Sequence, residues 1–214
     1  AYAFVQAYLI AREIAAIEDA KLLWPQLKRA LSLVTKAAKA RPRDMEIQHL
    51  WGYLLHQQYL LDEEKLTALA AHTHYLLALD LAKENPRYKA SLMQQIGILQ
   101  ASLGNHRIAL GYFDRRALLP FVRPGGELNL AMASARSLYQ IGRPKAAAER
   151  TAQARELLSS DASLARYQPL VIDRLAFYHH SAGDFDAAYA LYQELEPLLA
   201  KKSNDGGLVN QLKM

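Results

Sequence analysis

The chain contains no cysteine among its 214 residues. This absence excludes a disulfide framework, a thiolate metal site and a cysteine nucleophile, but it does not choose between the cytosol and an exported compartment. Long apolar runs are missing as well, since Gln6, Arg12, Glu13 and Glu18 interrupt the most apolar segment. No stretch reaches the roughly 18 to 20 apolar residues of a membrane-spanning helix. With only 10 glycines and 8 prolines, the chain is neither collagen-like nor of low complexity.

What is present is the composition of a folded protein, with 51% apolar and 22% charged residues. The length allows one domain of ordinary size or a short repeat array. The chain begins with Ala1 and has no basic segment of the kind that opens a signal peptide. We therefore expect residue 1 to be a processed terminus or a cut inside a longer protein, with any targeting signal already removed.

The formal net charge of +5 arises in residues 21–43, which hold seven basic residues and no acidic one. On a helix, five of these bases fall within a sector of about 100°, opposite Leu27, Ala30 and Val34. Two interpretations stay open: a solvated outer helix face, or a surface for an anionic partner such as nucleic acid or an acidic membrane. We call these five residues the basic stripe: Lys21, Lys28, Arg29, Lys36 and Lys39.

One sequence pattern occurs three times: a small residue, glycine seven positions later, alanine five further on, and a fourth residue, usually bulky, four beyond that. Glycine suits a helix end because its left-handed conformation meets no Cβ penalty. The small residues let two antiparallel helices approach within roughly 8 to 10 Å. Each copy predicts a helical hairpin that turns at its glycine. The copies are Gly97, Gly104, Ala109, Phe113; Ala135, Gly142, Ala147, Thr151; and Ala176, Gly183, Ala188, Tyr192.

The residues that follow these turns suit helix starts. Asn105 and Asp184 can cap the next helix, and Pro144 fits a first helical position. Upstream the pattern is weaker, and we expect turns near Asp19 and Asp62. Pro25 is expected within the first turn of its helix, where proline is tolerated.

This pattern resembles the tetratricopeptide (TPR) repeat, a helix–turn–helix unit with a small residue in its first helix, glycine near the turn, and alanine and an aromatic residue in its second helix. Residues 90–120 match best and end in Pro120. The glycines at 104, 142 and 183 are 38 and 41 residues apart, which exceeds the roughly 34 residues of a standard repeat. The resemblance implies an all-α fold, a right-handed α-solenoid of about five antiparallel helical hairpins.

We expect a single TPR-like helical repeat domain over residues 1–200. Residues 201–214 would form a tail, a capping segment or the start of another repeat. Loops are expected at 118–127 and 159–164. The expected hairpins cover about 1–41, 43–84, 86–120, 127–160 and 164–200.

Signatures of catalysis and metal binding are missing from the sequence. It has no G-x-S-x-G elbow, H-E-x-x-H motif, P-loop or G-x-G-x-x-G fingerprint. His72 and His74 would point about 200° apart on a helix, so they could not share a metal. Asp184 and Asp186 directly follow a turn glycine, which favours a helix cap over a metal-binding pair. The sequence thus predicts no enzyme, no metal site and no cofactor.

The resemblance to the repeat family implies a groove, lined by the first helix of each hairpin, that holds an extended or helical peptide. Some family members clamp a terminal carboxylate of chaperone tails there, but Gln94 and Ile98 stand at the matching positions, so that ligand is not implied. An alternative is that Tyr53, Tyr59 and Phe177 are core residues between hairpins. The implied groove residues are His49, Tyr53, His56, Tyr59, Gln94, Asn129, Arg136, Tyr139, Asp173, Arg174, Phe177 and His180.

These observations favour a non-enzymatic protein–protein interaction module that belongs to a larger protein or assembly. The alternative function is binding of nucleic acid or an acidic membrane through residues 21–43. If the groove histidines have ordinary pKa values near 6.5, affinity for an acidic partner should rise between about pH 7 and 5.5.

Overall fold

The computed structural model describes residues 2–15, 17, 19–83, 85–119 and 124–204. Within these residues the regular structure is helical and contains no strand, as the sequence predicted. The helices are α1 (Tyr2–Ile14), α2 (Ala20–Ala40), α3 (Met45–Asp62), α4 (Lys65–Leu81), α5 (Pro86–Ser102), α6 (His106–Ala117), α7 (Pro124–Gln140), α8 (Pro144–Ser160), a 3₁₀ helix (Ala162–Tyr167), α9 (Gln168–Ser181) and α10 (Phe185–Asn204).

The three predicted glycine turns are confirmed. Gly104, Gly142 and Gly183 have φ values of 78°, 77° and 82°, the left-handed conformation that favours glycine. In each turn the next residue donates its N–H to a carbonyl five residues earlier, for example Asn105 to Gln100 at 2.9 Å. This is the Schellman arrangement, which satisfies the last carbonyls of a helix.

Helix starts agree with the sequence in part. Pro144 is the first residue of α8, as expected. The Asp19 carboxylate accepts the N–H of Lys21 at 2.8 Å, which confirms the turn before α2. Asn105 precedes α6 without capping it, and its side-chain Nδ2 donates to the Gln100 side-chain oxygen at 3.0 Å.

Several expectations about boundaries were wrong. Pro25 is the sixth residue of α2, not part of its first turn, so it removes one backbone hydrogen bond on an exposed face. Helix α7 begins at Pro124, inside the expected loop 118–127, because proline suits a first helical position. The 3₁₀ helix overlaps the expected loop 159–164. Helix α10 continues to Asn204, and residues 205–214 of the expected tail lie outside the described residues.

The chain divides into two compact units, each of which packs mainly within itself. Unit 1 comprises Ala1–Asn105 and Asp114–Pro120, and unit 2 comprises His106–Phe113 and Phe121–Met214. In unit 1 each helix from α1 to α5 packs on the next in sequence. Its first core joins α1, α2 and α3 through buried residues such as Ile10, Leu27 and Leu54.

Unit 2 is built in the same way. Helix α7 packs on α8, α8 on α9, and α9 on α10, while the 3₁₀ helix contacts α8 and α9. Ala135, Ala147 and Ala176, the small residues of the repeated pattern, belong to one buried cluster. Their small side chains allow the close contacts between helices that the repeated pattern predicts.

Candidate protein-binding faces

In unit 2 the predicted groove residues lie on α7 and α9, the first helices of the last two hairpins. Asn129, Arg136 and His180 are exposed, whereas Asp173 and Arg174 are partly buried. The Arg174 Nε atom lies 3.9 Å from the Asp173 carboxylate, and both side chains remain about one third exposed, so this ion pair is weak.

The aromatic residues of this face form a cluster that crosses from α7 to α9. The rings of Tyr139 and Phe177 meet edge to face with centroids 5.0 Å apart. Tyr178 lies 5.4 Å from Tyr139 and 5.6 Å from Phe177. Tyr139 and Phe177 are half-buried against the unit 2 core, so the alternative of a core role holds in part for Phe177. An edge-to-face pair adds about 0.5–1.5 kcal/mol of stability beyond that of burial. The pair therefore helps to hold α7 and α9 together on this face.

Tyr178 is a residue of this cluster that the sequence interpretation missed. Its side chain is buried, and burial raises the pKa of its hydroxyl. The positive charges of Arg174 and Arg136 oppose that rise in pKa. Burial lowers the pKa of His106 on α6, and the charge of Arg136 contributes to the same shift. Two arginines from neighbouring helices thus make the surroundings of the aromatic cluster positive.

In unit 1, the predicted groove histidines both lie near Tyr75, and His49 stays partly exposed whereas His56 is buried. His49 and His56 lie on either side of Gly52 with ring centroids 6.1 and 6.3 Å from Tyr75 of α4. His56 is only 2% exposed. The groove assignment is therefore corrected for His56, which is an interior residue of the α3–α4 hairpin. His56 is enclosed because Gly52, which has no side chain, lets the Tyr75 ring come close to the α3 backbone.

Burial also overturns the expectation that these histidines become charged in mild acid. It lowers the pKa of both His49 and His56 to about 4. An imidazole with such a pKa stays neutral between pH 7 and 5.5. The positive charge on this part of unit 1 is therefore not raised by His49 or His56 in that pH range.

The other predicted residues of unit 1 are partly buried. Tyr53 packs against the first core, which favours the core alternative for this residue. Tyr59 donates its hydroxyl to the Ser102 carbonyl at 3.3 Å, and so links α3 to α5. Gln94 lies half-buried on α5.

A further link between α3 and α5 was missed. Tyr88 donates its hydroxyl to the Glu46 carboxylate at 2.9 Å. This hydrogen bond, followed by burial and the charge of Glu46, raises the pKa of Tyr88. Helix α3 contacts both α1 and α5, so the first helices of three hairpins adjoin one another. The signal in the sequence is the repeat offset: Glu46 and Tyr88 are 42 residues apart, as are the turns at Asp62 and Gly104.

The basic stripe lies where the sequence predicted. All five of its residues are exposed on α2. The opposite face of the helix is buried at Leu27, Ala30 and Val34. Lys28 Nζ lies 5.0 Å from the centroid of the Trp24 ring, a cation–π contact that holds one of the charges against the helix.

Among the described residues, no group of three or more histidine or acidic side chains is placed to hold a metal ion. A shallow cavity of about 290 Å³ lies between α8 and α9 and includes Lys145, Glu149, His179 and Asp184 in its lining. His179 Nδ1 lies 2.9 Å from the Asp184 carboxylate there, which ties the end of α9 to the start of α10. No helix in the described ranges has the length and hydropathy of a membrane span.

Known structures resemble this arrangement over nearly the whole chain. The TPR-like repeats of a candidate kinesin light chain from Podosopora anserina superpose with a TM-score of 0.70 at 13% identity, covering 94% of this chain and 95% of that one. The chain has a TPR-like fold. PilF of Pseudomonas aeruginosa gives a TM-score of 0.66 at 13% identity, with 92% and 78% covered. MamA AMB-1 gives 0.66 at 14% identity, with 97% and 100% covered.

No protein-family model matches the TPR-like chain, and no curated protein matches it in sequence. At identities of 13–14%, the structural likeness establishes the fold and leaves function to the residues of the chain itself.

Proposed function

We propose that the TPR-like chain is a non-enzymatic protein–protein interaction module within a larger protein or assembly. It binds a peptide or protein segment on the face of α7 and α9 in unit 2. The observation that carries this proposal is the edge-to-face pair of Tyr139 and Phe177, which joins the two helices that also carry the exposed Arg136 and the partly exposed Arg174.

The chemistry of this face suits a segment that has an acidic side chain next to an apolar or aromatic one. A guanidinium group can donate two parallel hydrogen bonds to one carboxylate, and two such groups favour a carboxylate over a neutral side chain. Half-buried aromatic rings provide contact area at a low loss of conformational entropy, as in the energetically dominant residues of known interfaces. The weak ion pair with Asp173 leaves Arg174 able to bind a carboxylate ligand, while the charge of Asp173 disfavours a second acidic group there.

Selection from a random peptide display library tests the proposal. The wild-type chain should enrich peptides with an acidic residue near an aromatic or apolar one. The double variant Arg136→Gln, Arg174→Gln should lose this enrichment, with affinity for the selected peptides falling by at least about tenfold, because each charge-assisted hydrogen bond contributes about 1.5–3 kcal/mol.

The matched control is Arg143→Gln with Lys145→Gln, which removes the same charge from exposed residues at the α7–α8 turn. This control should select the same peptides as the wild type. Equal selection by the wild type and the Arg136, Arg174 variant would disprove the assignment of this face.

A second candidate function follows from the exposure of the basic stripe. Seven bases without an acid over residues 21–43, five of them exposed on one helix, would attract nucleic acid or an acidic membrane. This proposal differs from the first because it needs no side chain of unit 2.

Retention on RNA, on DNA and on phosphatidylserine vesicles distinguishes the two functions. Binding through the stripe should weaken steeply as salt is raised and should be lost in Lys28→Glu, Lys36→Glu. It should persist in the Arg136, Arg174 variant. Retention that is absent at low salt would remove this candidate.

A further inference from the structure

The last helix exposes a line of aromatic side chains, of which Phe185 meets the His180 ring of α9 edge to face at 5.3 Å. Phe185, Tyr189 and Tyr192 are 61%, 65% and 40% exposed. They are spaced by four and three residues, so they lie on one side of α10. We call these three residues the aromatic stripe. Large rings in this position are unexpected on a solvated face, where charged or small polar residues usually lie.

The repeat itself shows what such positions contact. Gly142 and Gly183 are equivalent and 41 residues apart, so Tyr189 and Tyr192 correspond to Ala148 and Thr151 of α8. Ala148 is 5% exposed and Thr151 is fully buried. Helix α9 packs on α8, and Ala148 shares a buried cluster with Ile172 and Leu175 of α9. Tyr189 and Tyr192 of the aromatic stripe therefore occupy positions that, one repeat earlier, are buried where the next hairpin packs.

A polar contact supports the same equivalence. Arg155 of α8 forms a two-pronged ion pair with Glu194 of α10, at 2.9 and 2.7 Å. Across the 41-residue offset, Arg155 corresponds to Glu196, which is exposed. In the last hairpin the residue equivalent to Arg155 is thus the acidic Glu196. We therefore expect a surface that packs against α10 to place a basic side chain opposite Glu196.

The charges near the aromatic stripe indicate what kind of surface packs against it. The stretch that carries the stripe, residues 184–196, contains four acidic residues and no Lys or Arg, whereas Lys201 and Lys202 lie further toward the end of α10. The first hairpin has the opposite character, since α2 exposes the basic stripe and Leu22 beside it is 64% exposed. Helix α1 adds exposed Tyr2, Val5 and Leu9. The first hairpin is also the same kind of unit, a pair of antiparallel helices, that covers α8 within unit 2.

We propose that the aromatic stripe of α10 packs against the α1–α2 hairpin of a second copy of this chain, so that copies associate head to tail. The aromatic rings would contact the alkyl stems and cationic ends of the basic side chains. Two different surfaces meet in such a contact, so each added copy offers a new surface to the next, and the oligomers, open or ring-shaped, grow with concentration.

Sedimentation equilibrium over protein concentrations up to about 1 mM, where weak protein interfaces become populated, tests this proposal. The weight-average mass of the wild type should rise above the 24.0 kDa of one chain and fall again at high salt. Tyr189→Lys with Tyr192→Lys, and separately Arg29→Gln with Lys36→Gln, should remain monomeric. The control, Leu66→Lys with Leu69→Lys, alters equally exposed side chains of α4 and should associate like the wild type.

Mixing the two monomeric variants gives the decisive result. Each variant retains the surface that the other has lost, so together they should form a dimer of twice the chain mass and nothing larger. A wild type that stays monomeric throughout, a control that is as monomeric as the stripe variants, or a mixture that fails to dimerise would each overturn the proposal. Helical circular dichroism of every variant confirms that loss of association is not loss of folding.

Discussion

His56 is a neutral imidazole held inside the α3–α4 hairpin. It is 2% exposed, and no described residue forms a hydrogen bond with either of its ring nitrogens. Burial lowers its pKa to about 4, whereas an unfolded histidine has a pKa near 6.5. Because the unfolded chain binds the proton more readily, protonation favours unfolding. The stability contributed by the neutral form is complete above pH 6.5 and is lost as the pH falls toward 4.

This linkage gives a measurable prediction. At pH 5 the difference in pKa should lower the free energy of unfolding by roughly 2 kcal/mol relative to pH 7.5. His56→Leu removes the titrating group and also its unpaired nitrogens. Urea unfolding at a series of pH values should therefore show a shallower loss of stability for the variant than for the wild type. Parallel curves for the two proteins would contradict a buried, neutral His56.

At the scale of elements, the sequence predicts helices best where glycine marks the turn. The turns at Gly104, Gly142 and Gly183 were located to the residue, because few other residues adopt a left-handed conformation without penalty. The turn between α3 and α4 instead places Glu63 at φ 54°, and the connection after α4 places Lys83 at φ 45°. These residues give no sequence signal of their own, so the first two hairpins were delimited less well.

The candidate binding faces were also predictable only in part, because the sequence does not show which helices pack together. Helical periodicity shows which residues share a side of a helix, but not which neighbouring helix covers that side. His49 and His56 were assigned to a groove from the resemblance to the repeat family, which aligns positions but does not show which helix covers them. The informative residue between them is Gly52, since glycine within a helix can indicate close approach of a bulky side chain. Arg136 and Arg174 stay predicted binding residues, and charged residues of this kind seldom lie in a core.

At the scale of the whole molecule, a repeat protein should lose stability locally when one hairpin is disturbed, because each repeat contacts only its neighbours. Gly52→Ala is a suitable disturbance. A Cβ atom at this position would lie 2.7 Å from Cδ1 of Tyr75, whose side chain is fully buried and cannot move away. Such overpacking should lower stability by about 1–3 kcal/mol.

Hydrogen exchange measured by mass spectrometry reads out where this stability is lost. Gly52→Ala should speed exchange in α3 and α4 and in the adjoining α2 and α5, which pack on them, while α9 and α10 keep the protection of the wild type. The control is Gly111→Ala in α6, where an added Cβ has no neighbour within 4 Å and where alanine should stabilise the helix by about 1 kcal/mol. An equal loss of protection in every helix of Gly52→Ala would mean that the chain unfolds as one cooperative body, against the nearest-neighbour behaviour expected of stacked hairpins.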